Sequence, residues 1–173
     1  MRRRDKEVTG QGAMEEIIGK SRVCRLALSD DGMPYMVPMC FGYQEGSLYF
    51  HSAPEGHKLD IIRKNNRVCF SFDADTEFFE ADRACGWGLK YRSVIGHGKA
   101  EIITDPEEKR AALDVIMGQY SRSSFEYRDE ELGGMVIIRV RIEGMTGKVS
   151  GHGADAPSRG GTDPGRSHPG KSR

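Results

Sequence analysis

Hydrophobic positions change period several times along the chain. Met14, Ile17 and Ile18 recur at helical spacing, with Gly19 placed to stop a short helix. From Val23 the period becomes two. Cys24, Leu26 and Leu28 then share one face of a strand, with Arg25 on the other. Ser29-Asp30-Asp31-Gly32 reads as a turn into a second strand, Tyr35 to about Tyr43. Gln44-Glu45-Gly46 turns the chain again, into a third strand from Ser47 to His51. Leu59, Ile61 and Ile62 predict a short helix that begins near Ala53 or Gly56 and ends near Asn65-Asn66. Val68, Phe70 and Phe72 alternate with Cys69, Ser71 and Asp73 in a fourth strand. Asp75 to Arg83 keeps neither period and is expected to leave the sheet.

Arg92 to Ile103 predicts a long strand, in which Gly96 and Gly98 mark a bend or a close backbone approach. Asp105-Pro106-Glu107-Glu108 supplies an N-cap, a proline at the first helical position and an early glutamate. The helix it opens carries Leu113, Ile116, Met117 and Tyr120 on one face. Met135 to Val149 is a last strand, rich in Val and Ile. Antiparallel hairpins with short inserted helices predict a mainly β fold, a small closed barrel rather than a parallel α/β sheet.

Composition changes this picture at the two ends. Residues before Val8 are charged and expected to be loose. From Gly151 the chain turns to Gly, Pro, Ser and Arg with no large apolar residue. Such a segment cannot bury enough surface to offset its ordering entropy. The expected organisation is one domain over 1–150 and a disordered tail over 151–173. Lys plus Arg and Asp plus Glu each number 26, so the formal charge is zero. That argues against a nucleic-acid partner, whose footprint is a basic surplus. No apolar run approaches the ~20 residues of a membrane span. Cys24, Cys40, Cys69 and Cys85 are scattered, with no C-x-x-C pair. A reduced, cytoplasmic protein without a metal site is expected.

Two stretches carry candidate chemistry. Around Leu48-Tyr49-Phe50-His51-Ser52-Ala53-Pro54-Glu55-Gly56-His57-Lys58 a strand runs straight into a helix start. Free backbone N–H groups and the positive end of the helix dipole then converge on one spot, beside His51, Ser52, His57 and Lys58. This suits a phosphate. Ser52-x-x-Glu55 also has the form of a capping box, so an ordinary capped turn accounts for the same residues. Trp87, Lys90, Tyr91, Arg92 and Ser93 form an aromatic and basic cluster, suited either to a planar anionic ligand or to covering a barrel end. Pro38 interrupts a strand, which fits an edge or a gap where a ring system lies against the backbone. Neither a G-x-G-x-x-G nor a P-loop is present.

Val37-Pro38-Met39, Leu48 to His51 with Lys58, Lys90-Tyr91-Arg92-Ser93-Val94-Ile95-Gly96-His97-Gly98 and Met145-Thr146-Gly147-Lys148 occur in an order that resembles a known family. This is the nitroimidazole-resistance branch of the pyridoxamine-phosphate-oxidase-like flavin proteins. The likeness runs from about Met1 to Ser150, with Gly10 to Gly12 as a departure. It implies a split β-barrel and a homodimer with FMN in the clefts between subunits. His51, Ser52 and Lys58 would hold the phosphate or line its approach. Val37, Pro38 and Met39 would run under the flavin ring. Tyr91, Arg92 and Ser93, with Trp87 in the same cluster, would complete the pocket, with Arg92 reaching the flavin. His51 also falls where the family faces its substrate, which makes it the candidate catalytic residue.

The function expected is that of an FMN-dependent oxidoreductase. A nicotinamide donor would reduce the flavin, and a small acceptor such as a nitroaromatic would take the electrons. The alternative is a flavin- or haem-binding sensor or storage module, in which His51, His57 or His97 ligates iron.

Overall fold

A computed structural model describes residues 4–151 of the chain. Strand β1 (Glu7–Val8) leads into helix α1 (Gln11–Lys20). Four strands follow: β2 (Cys24–Asp30), β3 (Met33–Met39), β4 (Gly42–Gln44) and β5 (Ser47–Ser52). Helix α2 (His57–Lys64) precedes the long strands β6 (Arg67–Phe79) and β7 (Gly88–Ile103). Helices α3 (Pro106–Gly118) and α4 (Asp129–Gly133) separate these from β8 (Val136–Ser150). All pairings are antiparallel, in the order β3-β2-β6-β7-β8-β5-β4, with β1 beside β8. Among the described residues no helix is long and apolar enough to cross a membrane.

The two edges of this sheet, β3 and β4, are consecutive in the chain, with Cys40 and Phe41 between them. Three Cα steps from Met39 to Gly42 span at most about 11 Å. The sheet must therefore curl until its edges meet at that end. Phe41 turns inward there, fully buried, and its ring lies 4.7 Å from that of Phe72. No ladder joins β3 to β4, so the barrel is split, as the family likeness implies, rather than closed all round. This junction also breaks the expected Tyr35–Tyr43 strand in two. Gly42 is required at the break, since a Cβ there would sit 2.5 Å from the backbone of Val115 in α3.

Alternation fills the interior as expected. Cys24, Leu26 and Leu28 of β2 meet Phe70, Phe72, Val94 and Val140 in one buried cluster. Gly96 and Gly98 are close approaches: a Cβ would come within 2.2 Å of the Phe70 ring at Gly96 and 2.1 Å of the Arg141 carbonyl at Gly98. The β7–β8 register shifts between His97 and Gly98. The Asp105 cap forms as predicted, its Oδ1 accepting from the N–H groups of Glu107 and Glu108 at 3.0 Å each.

Other expectations are corrected. Residues 75–79 stay in the sheet. A register shift between Ala74 and Glu77, with Asp75 at φ 51°, hides the period, and pairing then resumes to Phe79↔Gly88. The long strand accordingly starts at Gly88, not Arg92. Residues just before Val8 are tied down, since Glu7 pairs with Lys148 and Lys6 Nζ donates to Ser150 Oγ at 3.1 Å. α1 forms despite its glycines and runs to Lys20. The predicted tail lies, from His152 on, outside the described residues.

Candidate functional site

Helix α2 starts where β5 ends, but the capping box does not form. Ser52 is the last residue of β5, and Gly56 holds the N-cap at φ 136°, where no side chain caps the helix. A φ in that region favours glycine. The N–H groups of Leu59 and Asp60 both bond to the Gly56 carbonyl, while those of His57 and Lys58 find no acceptor among the described residues. Ser52 Oγ is buried, with the residue 5% exposed, and has no hydrogen-bond partner. Lys58 is half-buried, and its ammonium meets no partner among the described residues. A buried hydroxyl left unpaired costs about 1–3 kcal/mol. Free N–H groups and the positive end of the helix dipole at the start of α2 suit an anion, and Ser52 and Lys58 stand within four residues of its N-cap in the chain.

This helix start stands at the split. β5 pairs with β8 along its whole length but with β4 only from Ser47 to Tyr49. The other side of Phe50–Ser52 is therefore an unpaired backbone edge, and β3 presents another. His57 carries α2 across toward β3. Its ring meets Tyr35 edge-on at 4.9 Å, and its Nε2 lies 3.5 Å from Asp30 Oδ2. In β3, Val37 and Met39 pack toward the core and Pro38 faces out. Their side chains thus do not line one surface, though their backbone forms one edge. Pro38 sits where a missing N–H costs no ladder bond on the open side. His51 is exposed, on the face of β5 opposite buried Ser52.

Tyr91 and Ser93 lie elsewhere, in a cleft of about 800 Å³ against the outer face of β2, β6, β7 and β8. Lys20, Arg22, Arg25 and Lys148 line it with them. Lys148 Nζ donates to Tyr91 Oη at 2.6 Å. Arg92 points to the other side of β7, as alternation requires, and its Nε lies 3.2 Å from Asp75 Oδ2. Trp87, 52% exposed, donates from Nε1 to the Ala81 carbonyl at 2.8 Å. It stands on the β6–β7 hairpin with exposed Phe78 and Leu89.

The sequence-derived site residues therefore form two groups. Ser52 is registered with Val136 and Ser93 with Lys148, at opposite ends of β8. A single protomer does not bring His51, Ser52 and Lys58 to Tyr91 and Ser93. Sequence reasoning missed Tyr35 at the first group and the cations Lys20, Arg22 and Arg25 at the second, and it marked Lys148 only within the motif 145–148, without a role. Sheet register and the loop after α1 gather Lys20, Arg22 and Arg25, so no local pattern marks them. The histidines weighed as iron ligands are dispersed: His57 is engaged by Tyr35 and Asp30, His97 lies beside Gly144, and His51 is exposed.

The model of one family, pyridoxamine 5′-phosphate oxidase, matches residues 11–149, nearly the whole described fold. The chain belongs to the pyridoxamine 5′-phosphate oxidase family. Within that family it is similar to a protein described as a candidate 5-nitroimidazole antibiotic resistance protein from Bacteroides thetaiotaomicron. Identity is 37%, over 83% of this chain and 86% of that one, with a TM-score of 0.75. This agrees with the branch that residues 37–39, 48–58 and 90–98 resemble. The fold is also shared with an FAD- and haem-binding protein from Mycobacterium smegmatis, at 20% identity over 88% and 77% of the two chains and a TM-score of 0.76. A flavocytochrome from Azotobacter vinelandii has 17% identity over 88% and 72%, also with a TM-score of 0.76. No curated protein matches the chain.

Proposed function

We propose that the protein is an FMN-dependent oxidoreductase, working as a homodimer, that passes electrons from a nicotinamide donor to a small acceptor such as a nitroaromatic. The observation that carries this is the start of α2, where the N–H groups of His57 and Lys58 are free, with the buried, partnerless hydroxyl of Ser52 four residues before the N-cap. These residues fit a flavin phosphate. The unpaired edges of β3 and β5 fit the polar rim of a flavin ring, which needs both donors and acceptors. When bound, FMN supplies the redox chemistry. Ser52 and Lys58 anchor it, and the backbone at Val37–Met39 supports the ring. His51, exposed beside the split, would face the acceptor at the flavin edge.

The separation of the site residues into two groups supports the homodimer. Tyr91 and Ser93 reach the same ligand as Ser52 and Lys58 only if a second copy supplies them. The outer sheet face beside Tyr91 offers apolar surface for that copy, with Met36 60% and Ile95 53% exposed. Absence of a dinucleotide fingerprint favours FMN over FAD.

The test is the visible spectrum of the purified protein and the mass of its released cofactor, followed by anaerobic addition of NADPH or NADH and then a nitroimidazole. The expected result is FMN that is bleached by the nicotinamide and recoloured by the nitro compound. A haem spectrum would contradict the proposal. A flavin that no nicotinamide bleaches would point instead to a binding module without turnover.

A further inference from the structure

Helix α2 is tied to the β2–β3 hairpin at both ends. At its start, His57 Nε2 lies 3.5 Å from Asp30 Oδ2, and the His57 ring meets Tyr35 edge-on at 4.9 Å. At its end, Lys64 Nζ lies 3.6 Å from Asp30 Oδ1, and Asn65 Nδ2 donates to the Ser29 carbonyl at 3.3 Å. Positions 57 and 64 differ by close to two helical turns, so both side chains leave the same face of α2 and one carboxylate serves both. Leu59, Ile61 and Ile62 bury the other face. Apolar packing is non-directional, so it holds the helix to the core without aiming its first turn.

The hairpin is a stiff partner. Its turn residues Asp31 and Gly32 have φ of 49° and 89°, as a tight hairpin turn requires, and Asp30 pairs with Met33 and Leu28 with Tyr35 across it. Asp30 ends β2, and Tyr35 stands in β3 two residues before Val37, about 7 Å along the strand. An exposed ion pair at such distances adds little to stability. By charge alone, an acid close to the start of α2 also opposes an anion there. What these contacts supply is position. His57 is the first residue of α2 and carries one of its free N–H groups, while the open edge of β3 from Val37 to Met39 is the backing assigned to the flavin ring.

We propose that Tyr35, Asp30 and His57 form a clasp across the split, which positions the first turn of α2 against the edge of β3 so that a flavin's phosphate and ring are met together. The three are positioning residues: the clasp aims the N–H groups of His57 and Lys58, and those groups meet the phosphate. This rests on the flavin-phosphate reading of the same site.

The experiment is fluorescence titration of the full-length protein, freed of flavin, with FMN and with riboflavin. It compares the wild type with Asp30→Asn, His57→Gln, Tyr35→Leu and Tyr35→Phe. The ring is common to both ligands, so the advantage of FMN over riboflavin reports the phosphate alone. Asp30→Asn, His57→Gln and Tyr35→Leu should each cut that advantage about tenfold, the scale of one misplaced charge-assisted hydrogen bond, with riboflavin affinity unchanged. Tyr35→Phe keeps the ring edge and should keep the wild-type ratio. Asp30→Asn combined with His57→Gln should cost no more than either alone, because the two share one contact. Tyr35 packs against the core, whereas His57 is exposed, so His57→Gln decides the matter if Tyr35→Leu fails to fold. A gain of FMN affinity in Asp30→Asn would show an acid acting through its charge alone and would overturn the clasp. An unchanged ratio in His57→Gln, or an equal loss of both flavins, would overturn it too. Equal binding of FMN and riboflavin by the wild type would instead remove the phosphate site itself, and the clasp with it.

Discussion

Arg92 Nε lies 3.2 Å from Asp75 Oδ2, an acid that also lines the cleft of Tyr91 and Ser93. The pair is only partly exposed, 17% for Arg92 and 30% for Asp75. It forms where the β6–β7 ladder shifts register, and so braces the base of the hairpin that carries Trp87. A double-mutant cycle over Arg92→Ala and Asp75→Ala should therefore give a coupling of about 0.5–1.5 kcal/mol in chemical denaturation. FMN affinity should fall less in Arg92→Lys than in Lys58→Ala. Additive stability effects combined with a large loss of FMN would show that Arg92 serves the flavin instead.

Ser52 should show opposite signs in two measurements. Its Oγ is buried without a partner, so Ser52→Ala removes an unpaired polar atom from the protein without ligand. Thermal stability of flavin-free protein should stay level or rise by up to about 1 kcal/mol. FMN affinity should meanwhile drop by about 1 kcal/mol, since a hydrogen bond to phosphate is lost. A loss of stability with no change in FMN affinity would mark the hydroxyl as structural.

The thiols should separate cleanly. Burial pushes the Cys24 thiol up to about 12, and Cys24 is fully buried. Cys40, Cys69 and Cys85 are exposed. A thiol-specific reagent at pH 8 should label Cys40, Cys69 and Cys85 in the native protein and Cys24 only after denaturation, because the thiolate is the reactive form. Peptide mapping of the labelled protein reads the result. Native labelling of Cys24 would contradict the packing described for β2.

The dimer has its own test. Ile95 is exposed on the outer sheet face, one alternation beyond Ser93 in the cleft wall. Ile95→Arg should yield a monomer by sedimentation and lose FMN affinity with it. A wild-type monomer that binds FMN at full affinity would contradict the shared cleft.

Much of the fold was legible because its causes are local. Cys24, Leu26 and Leu28 alternate, Asp105 caps, and Gly96 and Gly98 mark approaches that a Cβ would block. What was not legible depends on partners distant in the chain. The strand through Phe79 was hidden because one irregular residue, Asp75, shifts the period halfway. The break at Cys40–Phe41 comes from α3 pressing on Gly42, which no local pattern records. At the candidate site, the stretch from His51 to Lys58 was found by its strand-to-helix form, although Ser52 turned out to be an unpaired hydroxyl in a strand rather than a cap. The cations around Tyr91 were missed because sheet register and the loop after α1 assemble them.

The most direct test of the account is titration of the flavin-free protein with FMN and with riboflavin, in the wild type and in Lys58→Ala. The two ligands share a ring and differ by the phosphate. If Ser52, the α2 start and Lys58 hold that phosphate, FMN should bind far more tightly than riboflavin. Lys58→Ala should then cost FMN about 1.5–3 kcal/mol while riboflavin is nearly unaffected. Equal binding of the two flavins, or an FMN affinity indifferent to Lys58, would contradict the assignment of this site.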